Sequence, residues 1–344
     1  MYTKKTLDIK KITTCPICAN TGDVIYNSLD NSVTKIKGPW SHARCKSSSC
    51  NLVWITERPE DKDLWKLYAG YTTHFTPSIP KIEKNTFYKK IKDAIFQNYL
   101  HYPNNTPQYL QWFVYILKIA HPGLIERLLA SRFYIPYITN GSILDIGCGN
   151  GASLLLMQKY GWEGFGIDFD EEAIKIASSI GINSSVGGLN DHAFENESYD
   201  AILLNHVIEH IPNPKELFTE CFRILKPGGT LVAITPNANS IGHKIFKHSW
   251  RGLEYPNHLQ IFTPQSLKKT VEHLQTTKTE IKGSLQGELY ILKASYQLHR
   301  YGKEIVTEIS FLSKILDMMF FYIVGIIHNI TSKYDEVIYV KITK

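Results

Sequence analysis

Apolar and polar positions between residues 140 and 265 follow one repeating scheme. Ser142-Ile143-Leu144-Asp145-Ile146 is a short apolar run that leads into three glycines at alternate positions, and Ala152 to Met157 is an apolar stretch of helical length, so strand, tight turn and helix are predicted. Strands are read at Ile143 to Ile146, Gly164 to Asp168, Ile182 to Val186, Ala201 to Asn205 and Thr230 to Thr235, with helices such as Glu171 to Ile180 and Pro214 to Leu225 between them. Strands that alternate with helices wind into a mostly parallel α/β sheet with helices on both faces. Pro227-Gly228-Gly229 closes the Pro214 helix, and Thr263-Pro264 supplies a cap and first turn for a further helix, Gln265 to Leu274. Near the end of the chain, Glu336 to Thr343 alternates like a strand.

Outside that region the pattern changes. From about Thr56 to Asn140 it is mostly helical, with helices from Pro59 to Tyr68, Asn85 to Leu100 and Tyr109 to Ala120, broken around Pro77 and Pro80. Aromatics are dense there (Trp65, Tyr68, Tyr71, Phe75, Trp112, Phe113 and Tyr115), and packing against the wound sheet is their expected role. Phe311 to Ile330 holds the most apolar run, Met318 to Ile327. Ten residues rise only about 15 Å as a helix, half a bilayer core, and Lys314 and Asp317 interrupt any extension upstream. A buried helix, against the chain's own core or a partner in a homo-oligomer, is expected in preference to a peripheral membrane contact.

Composition narrows the class. The chain has 344 residues, 43% of them apolar, which is ample for one large or two smaller globular units. A formal charge of +6 with no run of five like charges describes a mildly basic surface and argues against a nucleic-acid partner. Part of the excess lies in residues 1–58, where nine Lys and Arg face four Asp and Glu. That segment also holds four of the six cysteines, as Cys15-Pro16-Ile17-Cys18 and Cys45 to Cys50, with 26 residues between the pairs. Two short loops that each supply two sulfurs suit a tetrahedral structural zinc, and nearby cations offset the thiolate charge. Disulfides are the alternative. Lys4, Lys5, Lys10 and Lys11 are not followed by the apolar core of a signal peptide, so a reducing cytoplasm is expected. Cys148 and Cys221 read as small core residues, and His42 as a loop histidine.

The turn Gly147-Cys148-Gly149-Asn150-Gly151 is of the kind that lets a nucleotide approach the backbone. It also satisfies the loose dinucleotide pattern. Asp145, two residues before the first glycine, and Asp168, ending the next strand where an acid can hold ribose hydroxyls, point elsewhere. These residues, with Gly187-Gly188-Leu189-Asn190, Tyr199 to His210, Leu225 to Gly229 and Thr235-Pro236-Asn237, resemble the class I S-adenosylmethionine-dependent methyltransferases. The resemblance covers roughly residues 140–265. It implies a seven-stranded, doubly wound sheet with the last strand inserted antiparallel at its edge, and S-adenosylmethionine held by Asp145, Gly147, Gly149, Gly151, Asp168, Leu189, Asn190 and Asn205. It also implies that helices before the first strand cover the cofactor. The expected organisation is a zinc-ribbon-like module at 1–58, a helical linker or lid at 59–139, and a methyltransferase domain at 140–344 with a helical insertion near 285–333.

A sulfonium already activates its methyl group, so the protein has to align acceptor, carbon and sulfur and take a proton from a hydroxyl acceptor. Asn205-His206-Val207-Ile208-Glu209-His210 leaves the fourth strand at the end where such sheets bind ligands. It formally fits the H-x-x-E-H zinc-peptidase pattern, but a strand end in this scaffold is the wrong setting. Glu209-His210 resembles the Glu-His pair of the ubiquinone-pathway O-methyltransferases, which implies a catalytic pair. In some relatives, positions matching His206, Glu209, His210 and His258 bind a divalent metal, so Mg or another divalent metal is a candidate cofactor that the resemblance implies. The segment 237–262, with His243, His248, Trp250, Arg251, Tyr255 and His258, is expected to face the acceptor. The expected activity is methylation of a hydroxyl on a small molecule, with a sugar, polysaccharide or other glycan first. A quinone-type phenol, an RNA 2'-hydroxyl, or a cofactor-binding protein without turnover are the alternatives.

Overall fold

The computed structural model describes residues 7–29, 36, 38–68, 75–77, 86–120, 122–302, 319 and 335–344. Apart from Met319, the apolar run 318–327 lies outside them, as does most of 311–330. The chain opens with β1 (Ile9–Lys11), β2 (Gly22–Leu29), β3 (Trp40–Cys45), β4 (Val53–Ile55) and β5 (Glu57–Pro59), followed by a 3-10 turn at Asp61–Tyr68. Three helices follow, α1 (Phe87–Leu100), α2 (Gln108–Ala120) and α3 (Pro122–Ala130). Then come β6 (Ser142–Ile146), α4 (Ala152–Gln158), β7 (Glu163–Asp168), α5 (Glu171–Ser179), β8 (Ser184–Val186), β9 (Tyr199–Asn205), α6 (Pro214–Ile224) and β10 (Leu225–Pro236). The chain continues through α7 (Ile241–Phe246), β11 (Gln260–Ile261), α8 (Pro264–Val271), β12 (Lys278–Ser284), α9 (Glu288–Tyr301) and β13 (Val337–Thr343).

Seven strands form one sheet in the order β12-β13-β10-β9-β6-β7-β8, and β6, β7, β8, β9 and β10 run parallel. This is the doubly wound, Rossmann-like fold that the alternating pattern predicts, with the seven strands that the resemblance to methyltransferases implies. Its central strands are buried on both faces, which is why they read as unbroken apolar runs. Helix ends follow local chemistry: the Asp170 side chain accepts from Glu172 N and Ala173 N to start α5, and Thr263 and Ser266 form a reciprocal cap on α8. One placement differs from expectation. β13 is antiparallel, but it lies between β10 and β12, so β12 is the edge strand. The sequence of β12, Lys-Thr-Glu-Ile-Lys-Gly-Ser, is too polar to announce a strand.

The N-terminal segment forms a second sheet whose fourth strand comes from elsewhere in the chain. Its order is β11-β4-β3-β2, and β11 pairs antiparallel to β4 through Gln260–Trp54 and Ile261–Val53. Helices α1 to α3 pack around Ile95, Phe96, Leu110, Val114 and Leu128 as a separate apolar cluster. Tyr102 connects them to the methyltransferase region: its ring lies 5.2 Å from that of Tyr137, and its hydroxyl accepts from Trp162 Nε1 at 3.4 Å. The aromatics expected to pack inward divide. Trp112 and Tyr115 are exposed, because the opposite face of α2 supplies its core contacts, and Phe75, before α1, is exposed as well. Tyr71 lies outside the described residues.

Candidate functional site

The glycine turn connects β6 to α4 at the C-terminal end of the sheet. Gly147, Gly149 and Gly151 all have positive φ, and a Cβ on Gly147 would stand 2.5 Å from Val207 Cγ2, so neither the conformation nor the space admits a side chain there. Asp168 ends β7 and faces the turn, its Oδ2 accepting from Gly149 N at 2.8 Å and its Oδ1 from Asp170 N at 2.9 Å. Burial pushes its carboxyl up, against the pull of those N–H donors. Asp145 is buried behind it with Oδ2 unpartnered, and burial first, then the charge of Asp168, pushes it well above the usual range.

The remaining proposed cofactor residues stand around the same strand ends. Leu189 is buried and Asn190 exposed on a short turn after β8, and Asn205 Oδ1 accepts from Gln286 Nε2 at 3.2 Å. Three residues that meet these were not singled out by sequence. Phe169 presents an exposed ring to Gly188, where a Cβ would lie 2.5 Å from its Cζ, and its only signal is an aromatic directly after Asp168. Asn150 Nδ2 donates to the carbonyl of Phe75 at 2.8 Å, bringing the segment before α1 to the glycine turn. Gln286 sits on the loop between β12 and α9, which carries no motif.

A second group assembles beyond β9. Glu209, His210 and His258 bring potential ligand atoms within 4.8 Å of one another. Hydrogen bonds at Nδ1 fix the tautomer of each neutral ring, and His258 Nε2 also lies 3.6 Å from Glu254 Oε2. His210 Nδ1 faces the carbonyl of Asn257 at 2.9 Å and His258 Nδ1 that of Gly252 at 2.8 Å. Carbonyls only accept, so both Nδ1 atoms carry protons, and in the neutral rings Nε2 keeps the lone pair. His206, with φ of 57°, places Nδ1 3.2 Å from Glu209 Oε1 and lies outside the converging three. Burial alone would raise Glu209, but the hydrogen bond from His206 and the neighbouring imidazoles override it and hold the carboxyl at about 2. Burial lowers His258 to about 4, only partly offset by Glu254, so its ring is neutral at neutral pH. Glu209 Oε2 is buried and unpartnered. An anionic oxygen and two imidazole nitrogens form a donor set that fits a divalent cation.

The N-terminal sheet reaches this group directly. Leu259 N donates to the carbonyl of Glu209 at 2.9 Å, and the Leu259 carbonyl accepts from Ile55 N of β4 at 3.1 Å. His42 lies in β3 opposite Ile55, fully buried rather than in a loop, with both ring nitrogens unpartnered. Its ring meets that of Tyr255 edge-on at 5.5 Å, and burial lowers it to about 3. Several other residues of the 237–262 segment serve structure. His243 stacks on Trp250 at 4.7 Å and bonds Tyr26 Oη and the Ala238 carbonyl, Trp250 Nε1 donates to Glu336, and Arg251 pairs with Glu254.

The four N-terminal cysteines converge. Cys15 Sγ lies 3.6 Å from Cys50 Sγ and Cys18 Sγ 3.4 Å from Cys45 Sγ, too far for disulfides and close to the separation of about 3.8 Å expected between sulfurs around one zinc. His42 is not among them. Cys148 and Cys221 are buried core residues.

A nucleotide-type glycine turn, an acid ending the next strand and a doubly wound sheet with one antiparallel insertion define an α/β fold of the kind that takes nucleotides at its strand ends. Residues 121–280, just under half of the chain, match the family model described as "Methyltransferase domain", which agrees with the Rossmann-like methyltransferase fold of the large sheet. Among curated proteins it is similar to the ubiquinone biosynthesis O-methyltransferase of Xanthomonas campestris pv. campestris (strain B100), at 34% identity over 116 residues, which are 32% of this chain and 47% of that protein. The protein of the same name from Vibrio parahaemolyticus is 26% identical over 156 residues, covering 41% of this chain and 66% of its own. The chain thus spans about half the length of the first of these relatives. A solved S-adenosylmethionine-dependent methyltransferase from Archaeoglobus fulgidus overlays 68% of this chain and 99% of its own at 20% identity and a TM-score of 0.44, too loose a likeness to argue from.

Proposed function

We propose that the protein transfers the methyl group of S-adenosylmethionine to a hydroxyl of a sugar or other glycan. The convergence of the buried, unpartnered Glu209 Oε2 with the imidazoles of His210 and His258 beside the cofactor strand ends carries this reading. In it, Asp168 accepts from the ribose hydroxyls, Asp145 and the glycine turn support the methionine end, Leu189 and Phe169 flank the adenine, and Asn190 and Asn205 complete the pocket. His210, whose Nδ1 donates to the Asn257 carbonyl, keeps its lone pair on Nε2 when neutral, and that nitrogen takes the acceptor's proton as methyl transfer proceeds. His206 holds Glu209 ionised and oriented. In the alternative route, a divalent cation such as Mg, held by Glu209, His210 and His258, would lower the acceptor hydroxyl's pKa, with His210 Nε2 then a ligand and not the base. The four cysteines hold a structural zinc.

Unpartnered buried polar atoms on the segments around the site favour a hydroxyl-rich acceptor. They include both nitrogens of His42, Asn257 Oδ1, Gln260 Oε1 and Gln286 Oε1, each costing about 1–3 kcal/mol while unsatisfied. A quinone-type phenol is the second reading, favoured by the names of the curated relatives. One experiment addresses cofactor and acceptor together: calorimetry with S-adenosylhomocysteine, and methyl transfer to nucleotide sugars, quinols and RNA, with and without chelator. Asp168→Ala is expected to weaken cofactor-product binding by about 1–3 kcal/mol. His210→Ala is expected to cut turnover about a hundredfold or more while sparing that binding. Turnover of quinols alone would replace the glycan reading, and wild-type turnover by His210→Ala would make His210 structural.

A further inference from the structure

Among the described residues, helix α2 has core contacts on one face and an apolar opposite face that is exposed. Leu110 and Val114 are buried in the helical cluster, yet Tyr109, Trp112, Tyr115, Ile116 and Ile119 are each more than half exposed, Ile119 at 87%. Positions 109, 112, 116 and 119 fall on one stripe of a helix, and the rings of Trp112 and Tyr115 stand 6.5 Å apart, so the exposed side chains form one patch. A helix apolar on both faces is built to have something against each. We propose that this face of α2 docks on an anionic lipid surface.

The chemistry of the patch selects that occupant. Trp and Tyr combine a flat apolar body with a polar N–H or O–H end, which suits the headgroup level, and Ile116 and Ile119 beside them suit the acyl boundary. The charge of the helical segment that carries the patch agrees. Residues 86–130 carry five Lys and Arg against two Asp and Glu, with Lys118 on α2 and Lys90 on α1 both exposed. Anionic headgroups complement that excess. A second copy of the same face, brought up by two-fold symmetry, would set the basic groups against each other. Among the described residues no helix is long and apolar enough to cross a membrane, so the contact would lie on the surface.

Vesicle sedimentation of the full chain tests this, using phosphatidylcholine alone and phosphatidylcholine with about one third phosphatidylglycerol. The wild type is expected to sediment with the anionic vesicles, less so as salt is raised. Trp112→Glu with Ile119→Glu is expected to reduce that fraction about tenfold or more, with the circular dichroism, thermal midpoint and S-adenosylhomocysteine affinity of the wild type. Three results would overturn the proposal. They are wild type left in the supernatant, equal sedimentation of wild type and double variant (which would put lipid binding elsewhere in the chain), or light scattering showing a dimer that the substitutions dissociate.

Discussion

Two carboxylates face the glycine turn in different settings. Asp168 spends both oxygens on backbone N–H groups, whereas Asp145 is sealed behind it with one oxygen unpartnered. Burial and the charge of Asp168 raise the Asp145 pKa above its ordinary 3.8. For an acid raised on folding, the stabilisation is complete below the unfolded value and is lost as pH rises through the folded one. The Asp145 carboxyl therefore leaves the unliganded protein less stable at neutral pH than in acid. Asp145→Asn keeps the shape and removes the charge, so scanning calorimetry is expected to show a higher midpoint than wild type at about pH 8 and little difference at about pH 4. A midpoint lowered equally at both pH values would mean that the carboxylate is satisfied in a way its geometry does not show. Both acids were legible because glycine spacing and strand ends fix where they stand. His42 was not: every residue from Trp40 to Ala43 is buried, so no alternation marks a strand, and only the fold discloses that this histidine is enclosed.

At the scale of elements, the central strands were readable and β11 was not. Parallel strands covered on both faces must be apolar throughout, which is a signal in one dimension. β11 is two residues long and exists only because β4 is there to pair with it. That pairing ties the cysteine cluster to the candidate site, since Thr263 Oγ1, just beyond β11, donates to the Cys50 carbonyl at 2.7 Å, and Leu259, just before it, bonds both Ile55 and Glu209. Elemental analysis is expected to find about one zinc per chain, lost in Cys15→Ser with Cys45→Ser. Without it, the amides of Ile55 and Leu259 are expected to exchange faster, with S-adenosylhomocysteine affinity changed by less than about twofold, because the glycine turn lies on other strands. Full zinc in the double variant would sink the ligand assignment, and unchanged exchange would sink the coupling.

For the molecule as a whole, the apolar clusters do not follow the divisions that composition suggests. One joins Trp40, Val53 and Ile55 of the N-terminal sheet to Ile143, Leu203 and Val232 of the large sheet, and a second joins Cys15, Cys45 and Trp54 to Leu144, Ile146 and Leu231. The third, around α1 to α3, is the separate one. Elements that share a core lose it together, and a chain cut after residue 58 would leave β11 without its pairing strand. We therefore expect the N-terminal sheet and the large sheet to unfold in one calorimetric transition, which a zinc chelator moves down as a unit. The Trp54 environment and the far-ultraviolet signal should change at the same temperature, and residues 59–344 alone should give no cooperative transition. Two resolved transitions, with only the smaller one sensitive to the chelator, would mean that the zinc module folds on its own and merely rests against the methyltransferase domain.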